Sequence, residues 1–207
     1  SKTAEESLQA LTTGECAIAA FHLPTDTVNQ TLVDMHNKYF TPDTYKVIRF
    51  VTRQQGLMVT KGNPKSIQKI EDLIRADIKF INRQDNSGTR LLIEEIFRRA
   101  SVDFRQVAGF HDVEFTHSAI AAFVASGMAD TGIGVETAAR QFGLDFIPLT
   151  TENYVLVCHH KSVKKFAVQQ LIAELKTEKF QQSVMTLAGY KPVRCGDVCR
   201  LEDILPW

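Results

Sequence analysis

The chain has 207 residues, of which 44% are hydrophobic and 23% are charged, an ordinary balance for a soluble globular protein of one large domain or two small lobes. Its 24 basic and 24 acidic residues cancel, and there is no long basic run, which argues against direct binding to nucleic acid or to an anionic membrane. No apolar stretch approaches the roughly 20 residues that a membrane-spanning helix needs.

The N-terminal part of the chain predicts one helix followed by strands. Residues 2–13 have the apolar spacing of an amphipathic helix, and residues 16–23 (CAIAAFHL) form a nearly continuous apolar run, which is typical of a buried parallel strand. Two β-rich runs follow at 45–53 and 56–60, and polar residues at 54–56 predict a break between them. Ser66 is a candidate cap for a short helix.

The segment of residues 80–100, FINRQDNSGTRLLIEEIFRRA, predicts the end of a buried strand, a polar loop and a helix. The first N–H groups of a helix lack intrahelical partners and carry partial positive charge, so such a loop can bind a small anion. Ser87 and Thr89 add hydroxyl donors, and Arg90 adds a cation. The alternative is that the same residues only cap the helix. The local pattern leaves both interpretations open.

A second helix start follows at Thr116, and the apolar stripe of its helix repeats that of the first. Together with His117 and Ser118, Thr116 could form a second anion-binding helix start that faces the first. Two such starts that converge on one anion would bind it better than either alone. An ordinary N-cap at Thr116 is the alternative for these residues.

Strands and helices alternate through the rest of the chain, with strands predicted at 130–134, 144–149 and 153–159 and helices at 135–142, 163–176 and 178–187. This alternation predicts an α/β fold with mainly parallel sheets. We expect residues 61–149 to form an inserted second lobe, and residues 1–60 plus 150–207 a discontinuous first lobe. Two lobes that are joined by two strand crossings form a hinge, and a cleft between lobes is a common small-molecule site.

Two further residues are candidates for ligand contact. His22 ends the first predicted strand, and open α/β sheets place ligand contacts at the carboxyl ends of strands. A buried histidine with satisfied hydrogen bonds is the alternative. Tyr154 lies just after the second crossing, where its ring could either pack at the hinge or contact a ligand.

Catalytic and metal-binding patterns are weak. The chain lacks G-x-S-x-G, the P-loop and G-x-G-x-x-G, and no close pair of carboxylates suggests an acid/base couple. Residues 111–117, HDVEFTH, hold four side chains that could bind a metal, but their spacing fits no standard ligand set, and a solvated loop is favoured. We therefore predict no catalytic residue, no metal and no cofactor.

The four cysteines do not fix the compartment. Cys16 and Cys158 lie in apolar runs and are expected to be buried. Cys195 and Cys199 have the spacing C-x3-C, which matches neither a thioredoxin motif nor half of a zinc site. A disulfide could form between them in an oxidising compartment.

Several segments together resemble a known family. They are EESLQALTTGECAIAAFHL, RQQGLMVTKGNPKSI, FINRQDNSGTRLL and EFTHSAIAAFVASGMADTGIGVETAARQFGLDFIPL, and they cover most of the chain from Glu5 to Tyr190. The chain is similar to the substrate-binding-like domain of molybdate-type transcriptional regulators and molybdopterin-biosynthesis fusions, which has the type II periplasmic binding protein fold. The resemblance implies non-catalytic binding or sensing of a small anion in an interlobe cleft, such as molybdate, tungstate or an anionic metabolite.

The resemblance also implies which residues contact the ligand. The serine–glycine–threonine–arginine loop of the family falls on Ser87, Gly88, Thr89 and Arg90, and the Thr-His helix start falls on Thr116 and His117. A glycine–serine turn near the ligand would leave its last residue as Ser1, and the histidine at the strand end is His22.

The beginning of the chain departs from the pattern of the family. Such domains start with a further strand, helix and strand, so we expect the first lobe to lack its N-terminal β-α-β. We expect no nucleic acid contact by this chain, and leave open a fused DNA-binding or transport partner and a homodimer. The alternatives are an enzyme on the same scaffold, of prephenate dehydratase or transferase type, and an interaction module with a vestigial cleft. The sequence argues against the dehydratase, because its T-R-F motif has phenylalanine at the position where this chain has Leu91.

Overall fold

The computed structural model describes residues 4–25, 34, 38–41, 43–85 and 87–204. The chain divides into two compact units. We call Ser1–Arg53 with Thr151–Trp207 the terminal unit, and Gln54–Thr150 the central unit.

The helices and strands, in chain order, are α1 (Ala4–Thr12), β1 (Ala19–Pro24), β2 (Tyr45–Val59), β3 (Phe80–Arg83), α2 (Gly88–Arg99), β4 (Val113–Glu114), α3 (His117–Ala125), β5 (Thr131–Val135), α4 (Glu136–Gln141), β6 (Asp145–His159), α5 (Phe166–Leu175), α6 (Glu178–Met185), β7 (Tyr190–Pro192) and β8 (Val198–Arg200). Short 3-10 helices lie at Ile70–Ile74, Phe104–Gln106, His160–Ser162 and Leu201–Asp203. Among the described residues, no helix is both long and apolar enough to cross a membrane.

In the terminal unit, β1 runs antiparallel to the second half of β6, and β7 and β8 both run antiparallel to the first half of β2. Helix α1 has acidic residues in its first turn, which suits the helix dipole, and it buries Leu8 and Leu11 against the β1 cluster around Phe21. A second cluster packs α5 and α6 against β2 through residues such as Ile48 and Ile172.

In the central unit, β5 lies between the second half of β2 and β3, and β4 is the outer strand beyond β3. One core cluster includes three aromatic rings, those of Phe80, Phe97 and Phe110, whose centroids are 5.6–6.5 Å apart. A second cluster packs α3 and α4 against β5 through residues such as Ile120 and Ala139. These two clusters fix the positions at which the strand β3 ends and the helices α2 and α3 begin.

The prediction of mainly parallel sheets is wrong, because most of the strand pairs are antiparallel. Among the strand pairs whose register is described, β1–β6, β2–β5, β2–β7 and β2–β8 are antiparallel, and β3–β4 and β3–β5 are parallel. A continuous apolar run indicates that a strand is covered on both faces, but it does not indicate whether the neighbouring strands are parallel or antiparallel to it. Parallel pairing occurs where a helix connects the strands, as α2 and α3 do around β3.

Two predicted breaks in strands are also wrong. Strand β2 continues through Gln54, Gln55 and Gly56, and β6 is continuous over the residues predicted to separate two strands. Gln55 pairs with Val135 in the ladder and is fully buried, with its amide donating to a side chain. A buried glutamine whose amide donates to a buried hydroxyl can continue a strand. Gly56 is needed because a Cβ there would collide with the Ile147 carbonyl oxygen.

Three smaller predictions need correction. Ser66 caps no helix; its φ is +48°, and the short 3-10 helix begins later, at Ile70. The solvated loop that is favoured for residues 111–117 contains the strand β4. The C-terminal segment, which had no predicted structure, forms β8 on the edge of β2. All four cysteines are free thiols.

We expect Thr131→Val to raise the free energy of unfolding by about 1 kcal/mol, because a buried hydroxyl without a hydrogen bond costs more than a methyl group in its place. Thr131 is fully buried in β5, and its Oγ1 has no hydrogen-bond partner in the described part of the chain. Urea unfolding measures the change. Thr89→Val is the matched control, since the Thr89 hydroxyl accepts a hydrogen bond, and it should lower stability. A loss of stability for Thr131→Val would contradict this account.

Candidate functional site

The loop between β3 and α2 ends in a capped helix start. Ser87 has extended backbone angles, and its Oγ accepts a hydrogen bond from the Arg90 N–H at 3.1 Å. Both Ser87 and Thr89 are buried. The cap satisfies one of the first N–H groups of α2, and those of Gly88 and Thr89 lie in the turn where a helix has no intrahelical acceptor. The cap and an anion site are therefore compatible at this loop.

The side chain of Thr89 is oriented by a residue of β2. Gln55 Nε2 donates to Thr89 Oγ1 at 3.5 Å, and both residues are buried. A hydroxyl that accepts one hydrogen bond still has its own proton to donate. Thr89 thus offers a donor whose position is fixed by the sheet.

Arg90, predicted as a ligand residue, makes contacts within its own loop and helix. Its Nε donates to Glu94 at 2.8 Å, its Nη1 lies 3.4 Å from the Arg83 carbonyl oxygen, and its guanidinium lies 4.4 Å from the centre of the Phe110 ring. Asp85 is 3.7 Å from Nη2. We propose that Arg90 holds the loop in place through these contacts.

The second helix start, at α3, is capped in the same way. Thr116 has extended backbone angles, and its Oγ1 accepts a hydrogen bond from the Ala119 N–H at 3.0 Å. Thr116 and Ser118 are exposed, whereas His117 is half-buried. Helices α2 and α3 thus begin with a hydroxyl cap each, as their sequences predict.

Arg83, the last residue of β3, links the two helix starts. Its Nη2 donates to the Phe115 carbonyl oxygen at 2.9 Å, and its Nη1 lies 3.4 Å from His117 Nε2. A guanidinium can only donate, so Nε2 is the acceptor in this contact. Because its own carbonyl oxygen accepts from Arg90, Arg83 connects the loop before α2 to the start of α3.

Two residues beside the helix starts, Arg83 and Gln55, are not among the predicted site residues. The sequence pattern places Arg83 in the polar loop, although a charged residue at the carboxyl end of a buried strand is a signal for ligand contact. Gln55 falls within the predicted strand break. Neither is recognisable from local pattern alone, because each acts on a helix start that lies elsewhere in the sequence. In three dimensions the cluster consists of Gln55, Arg83, Ser87, Thr89 and His117, and we call it the helix-start cluster.

The remaining candidate residues belong to the terminal unit. His22 in β1 lies opposite Tyr154 in β6, and their ring centroids are 4.9 Å apart. Tyr154 also packs on Phe50, and the guanidinium of Arg53 lies 5.4 Å from the centre of its ring. Ser1 lies outside the described residues. Tyr154 and His22 are therefore neighbours, and their part in ligand binding stays a prediction.

Beside Tyr154 is a buried ion pair. Arg53 Nε lies 2.9 Å from Glu152 Oε2, and both side chains are more than 90% buried. Burial opposes the charged form of Arg53, but the Glu152 carboxylate and Tyr190 outweigh it and raise the pKa of the guanidinium. In the described part of the chain, no three side chains of His, Cys, Asp or Glu could hold a metal ion together.

Comparison with known proteins identifies the family and the fold. The model of the PBP superfamily domain matches residues 2–176. The uncharacterized protein YvgK of Bacillus subtilis is 37% identical over 186 residues, which are 89% of this chain and 59% of YvgK. The chain thus spans about three fifths of that relative's length.

Two solved structures show the same fold at low identity. A substrate-binding protein assigned to a phosphate ABC transporter of Clostridium perfringens, with bound phosphate, is 12% identical with a TM-score of 0.62, covering 92% of this chain and 85% of that chain. The substrate-binding domain assigned to a molybdenum ABC transporter of Clostridium difficile is 16% identical with a TM-score of 0.56, covering 93% of this chain and 84% of that chain. At such identities the likeness shows the fold alone.

Proposed function

The chain belongs to the PBP superfamily, and from that membership we propose that it binds a small anionic solute and performs no chemistry on it. The helix-start cluster carries this proposal. It brings hydroxyl donors, helix N-termini and one arginine together within the central unit. Each of these groups donates hydrogen bonds or carries positive charge, and an anion is the ligand that such a set stabilises.

The donors favour an oxyanion. Ser87, Thr89 and the first N–H groups of α2 and α3 are neutral donors that point from fixed positions, and a small oxyanion accepts several hydrogen bonds at once. The related structures assigned to phosphate and molybdenum transport support the same ligand class. We propose phosphate, molybdate, tungstate or a small anionic metabolite. Closure of the two lobes on the solute, which the sequence predicts, remains a prediction.

Replacing Ser87 and Thr89 together by alanine should weaken anion binding at least tenfold, a loss of about 1.4 kcal/mol, because two hydroxyl groups of the site are removed. Isothermal titration calorimetry with phosphate, sulfate, molybdate and tungstate measures the affinity. Loss of the Ser87 cap alone costs about 1 kcal/mol of stability, so thermal unfolding must confirm that the variant is folded at the titration temperature.

The matched control for this experiment is Thr60→Ala with Ser126→Ala. It removes the same two hydroxyl types from exposed positions of the central unit, away from the helix-start cluster. Its affinity should equal that of the unmodified chain. Unchanged affinity in the Ser87→Ala, Thr89→Ala variant would show that the site has been misplaced, and failure of all four anions to bind would contradict the proposed ligand class.

A further inference from the structure

A second concave surface lies in the terminal unit and shares no residue with the helix-start cluster. It has a volume of about 410 Å³, which is within the usual range of small-molecule sites, about 300–1,000 Å³. Three cationic side chains line it, those of Lys46, Lys164 and Arg200, together with the ring of His160. We call it the basic pocket.

The charges of the basic pocket come from separate parts of the chain. Lys46 lies near the start of β2, and Arg200 is the last residue of β8. Their positions are directly opposite each other in the antiparallel ladder. Like charges that face each other across two strands destabilise a sheet. The fold therefore holds two cations together at a cost in stability. The net charge of the chain is zero, so this pair is a local excess of positive charge.

One carboxylate, that of Asp203, also lines the pocket. It lies 3.0 Å from Arg200 Nη2. The hydrogen bonds from Arg200, with a smaller effect of the Lys46 charge, lower the pKa of this carboxyl although its partial burial acts in the opposite direction. Within the described residues, neither Lys46 nor Lys164 has a carboxylate oxygen within 4.0 Å. Three cations against one carboxylate leave the pocket with an excess of positive charge.

The ring of His160 adds a further polar group. Its Nδ1 lies 3.1 Å from the Thr44 carbonyl oxygen, which can only accept, so Nδ1 carries a proton. The ring is packed against that of His159, with centroids 4.4 Å apart. Val163, the partly exposed Val198 and Cys199 complete the lining and give the pocket an apolar surface beside its cations.

We propose that the basic pocket binds a phosphorylated small molecule with at least two negative charges. Its phosphate groups contact Lys46, Lys164 and Arg200, and the rest of the molecule lies on the two valines. Lysine and arginine are the usual partners of phosphate, and a multiply charged anion gains most from several cations held close together. The proposal stands apart from the anion site of the central unit, since the two sites have no residue in common.

Pyrophosphate is the probe that tests the proposal. Lys46→Gln with Lys164→Gln should weaken its binding at least tenfold in calorimetry at low salt, because two of the three cations are replaced by neutral polar side chains that are one bond shorter. Lys61→Gln with Lys69→Gln, a pair of exposed lysines in the central unit, is the matched control and should leave the affinity unchanged. The Ser87→Ala, Thr89→Ala variant should still bind pyrophosphate at the basic pocket.

Three results would overturn the proposal. The first is that pyrophosphate does not bind the unmodified chain. The second is an unchanged affinity in the Lys46→Gln, Lys164→Gln variant, shown to be folded by its thermal unfolding. The third is that pentaglutamate binds at this pocket while pyrophosphate does not, which would assign the charges to an acidic protein partner.

Discussion

Glu152→Ala should lower the free energy of unfolding by about 3–5 kcal/mol, because it leaves the buried charge of Arg53 without its partner. The two side chains are 7% and 2% exposed, and their atoms lie 2.9 Å apart. Water cannot replace the carboxylate at so buried a position. Tyr154 compensates only in part, because a cation over an aromatic ring is worth less than a buried ion pair.

Urea unfolding followed by circular dichroism measures this loss. Glu136→Ala is the control, because its partner Arg140 is also at 2.9 Å but on an exposed helix face, where such pairs contribute about 0.3–0.5 kcal/mol. Replacing both partners, with Arg53→Met and Glu152→Leu, should recover most of the loss, since no unpaired charge remains. A loss below about 1 kcal/mol for Glu152→Ala would contradict the assignment of a buried pair.

Arg83→Gln should weaken anion binding by about 10- to 100-fold, equal to about 1.4–2.8 kcal/mol, because it removes the positive charge that the helix-start cluster holds at the end of β3. Glutamine is shorter than arginine, so the hydrogen bond of Arg83 to the Phe115 carbonyl oxygen at 2.9 Å is lost together with the charge. Thermal unfolding must therefore confirm that the variant is folded at the titration temperature. Calorimetry with the tightest-binding of the four oxyanions measures the effect.

Arg90→Gln is the matched control for Arg83→Gln. Both arginines are buried and lie at the same loop, but the guanidinium of Arg90 is held by Glu94 and the ring of Phe110. We expect this variant to lose stability while its anion affinity stays within about threefold of the unmodified chain. If Arg90→Gln loses binding and Arg83→Gln does not, the roles assigned to the two residues are reversed.

The two capped helix starts were predictable from the sequence. Ser87 and Thr116 are each followed by an apolar stripe with helical spacing, so cap and helix support each other in a local pattern. The helix starts of α2 and α3 therefore needed no information about the rest of the fold. The resemblance added which residues of the two helix starts contact the ligand.

The direction of the strands was not predictable in the same way. Strand β1 has the continuous apolar run of a parallel strand, yet it pairs antiparallel with β6 through Ala19 and Val157. Sheet partners are chosen by the connections of the whole chain, which a run of apolar residues does not encode. The same limit explains why the continuity of β2 was not predicted. Gln55 is tolerated inside the strand because its amide donates a hydrogen bond to Thr89, which is distant in the sequence.

Arg83 was missed for a related reason. In the sequence it lies in a run of polar residues that begins at Asn82, and only the fold shows that its guanidinium reaches the start of α3. Arg90 has the more suggestive position in the motif but is held by contacts within its own loop and helix. Spacing identifies which residues begin a helix, whereas the direction of a long side chain depends on its neighbours in space.

The central claim is that an oxyanion binds at the starts of α2 and α3, and the most direct test is a titration of the backbone amide signals by two-dimensional ¹⁵N–¹H NMR. On addition of phosphate, molybdate, sulfate or tungstate, we predict that the amide signals of Gly88, Thr89, His117 and Ser118 shift together and saturate at one concentration. If a bound anion leaves these four signals in place and shifts others, the claim is contradicted.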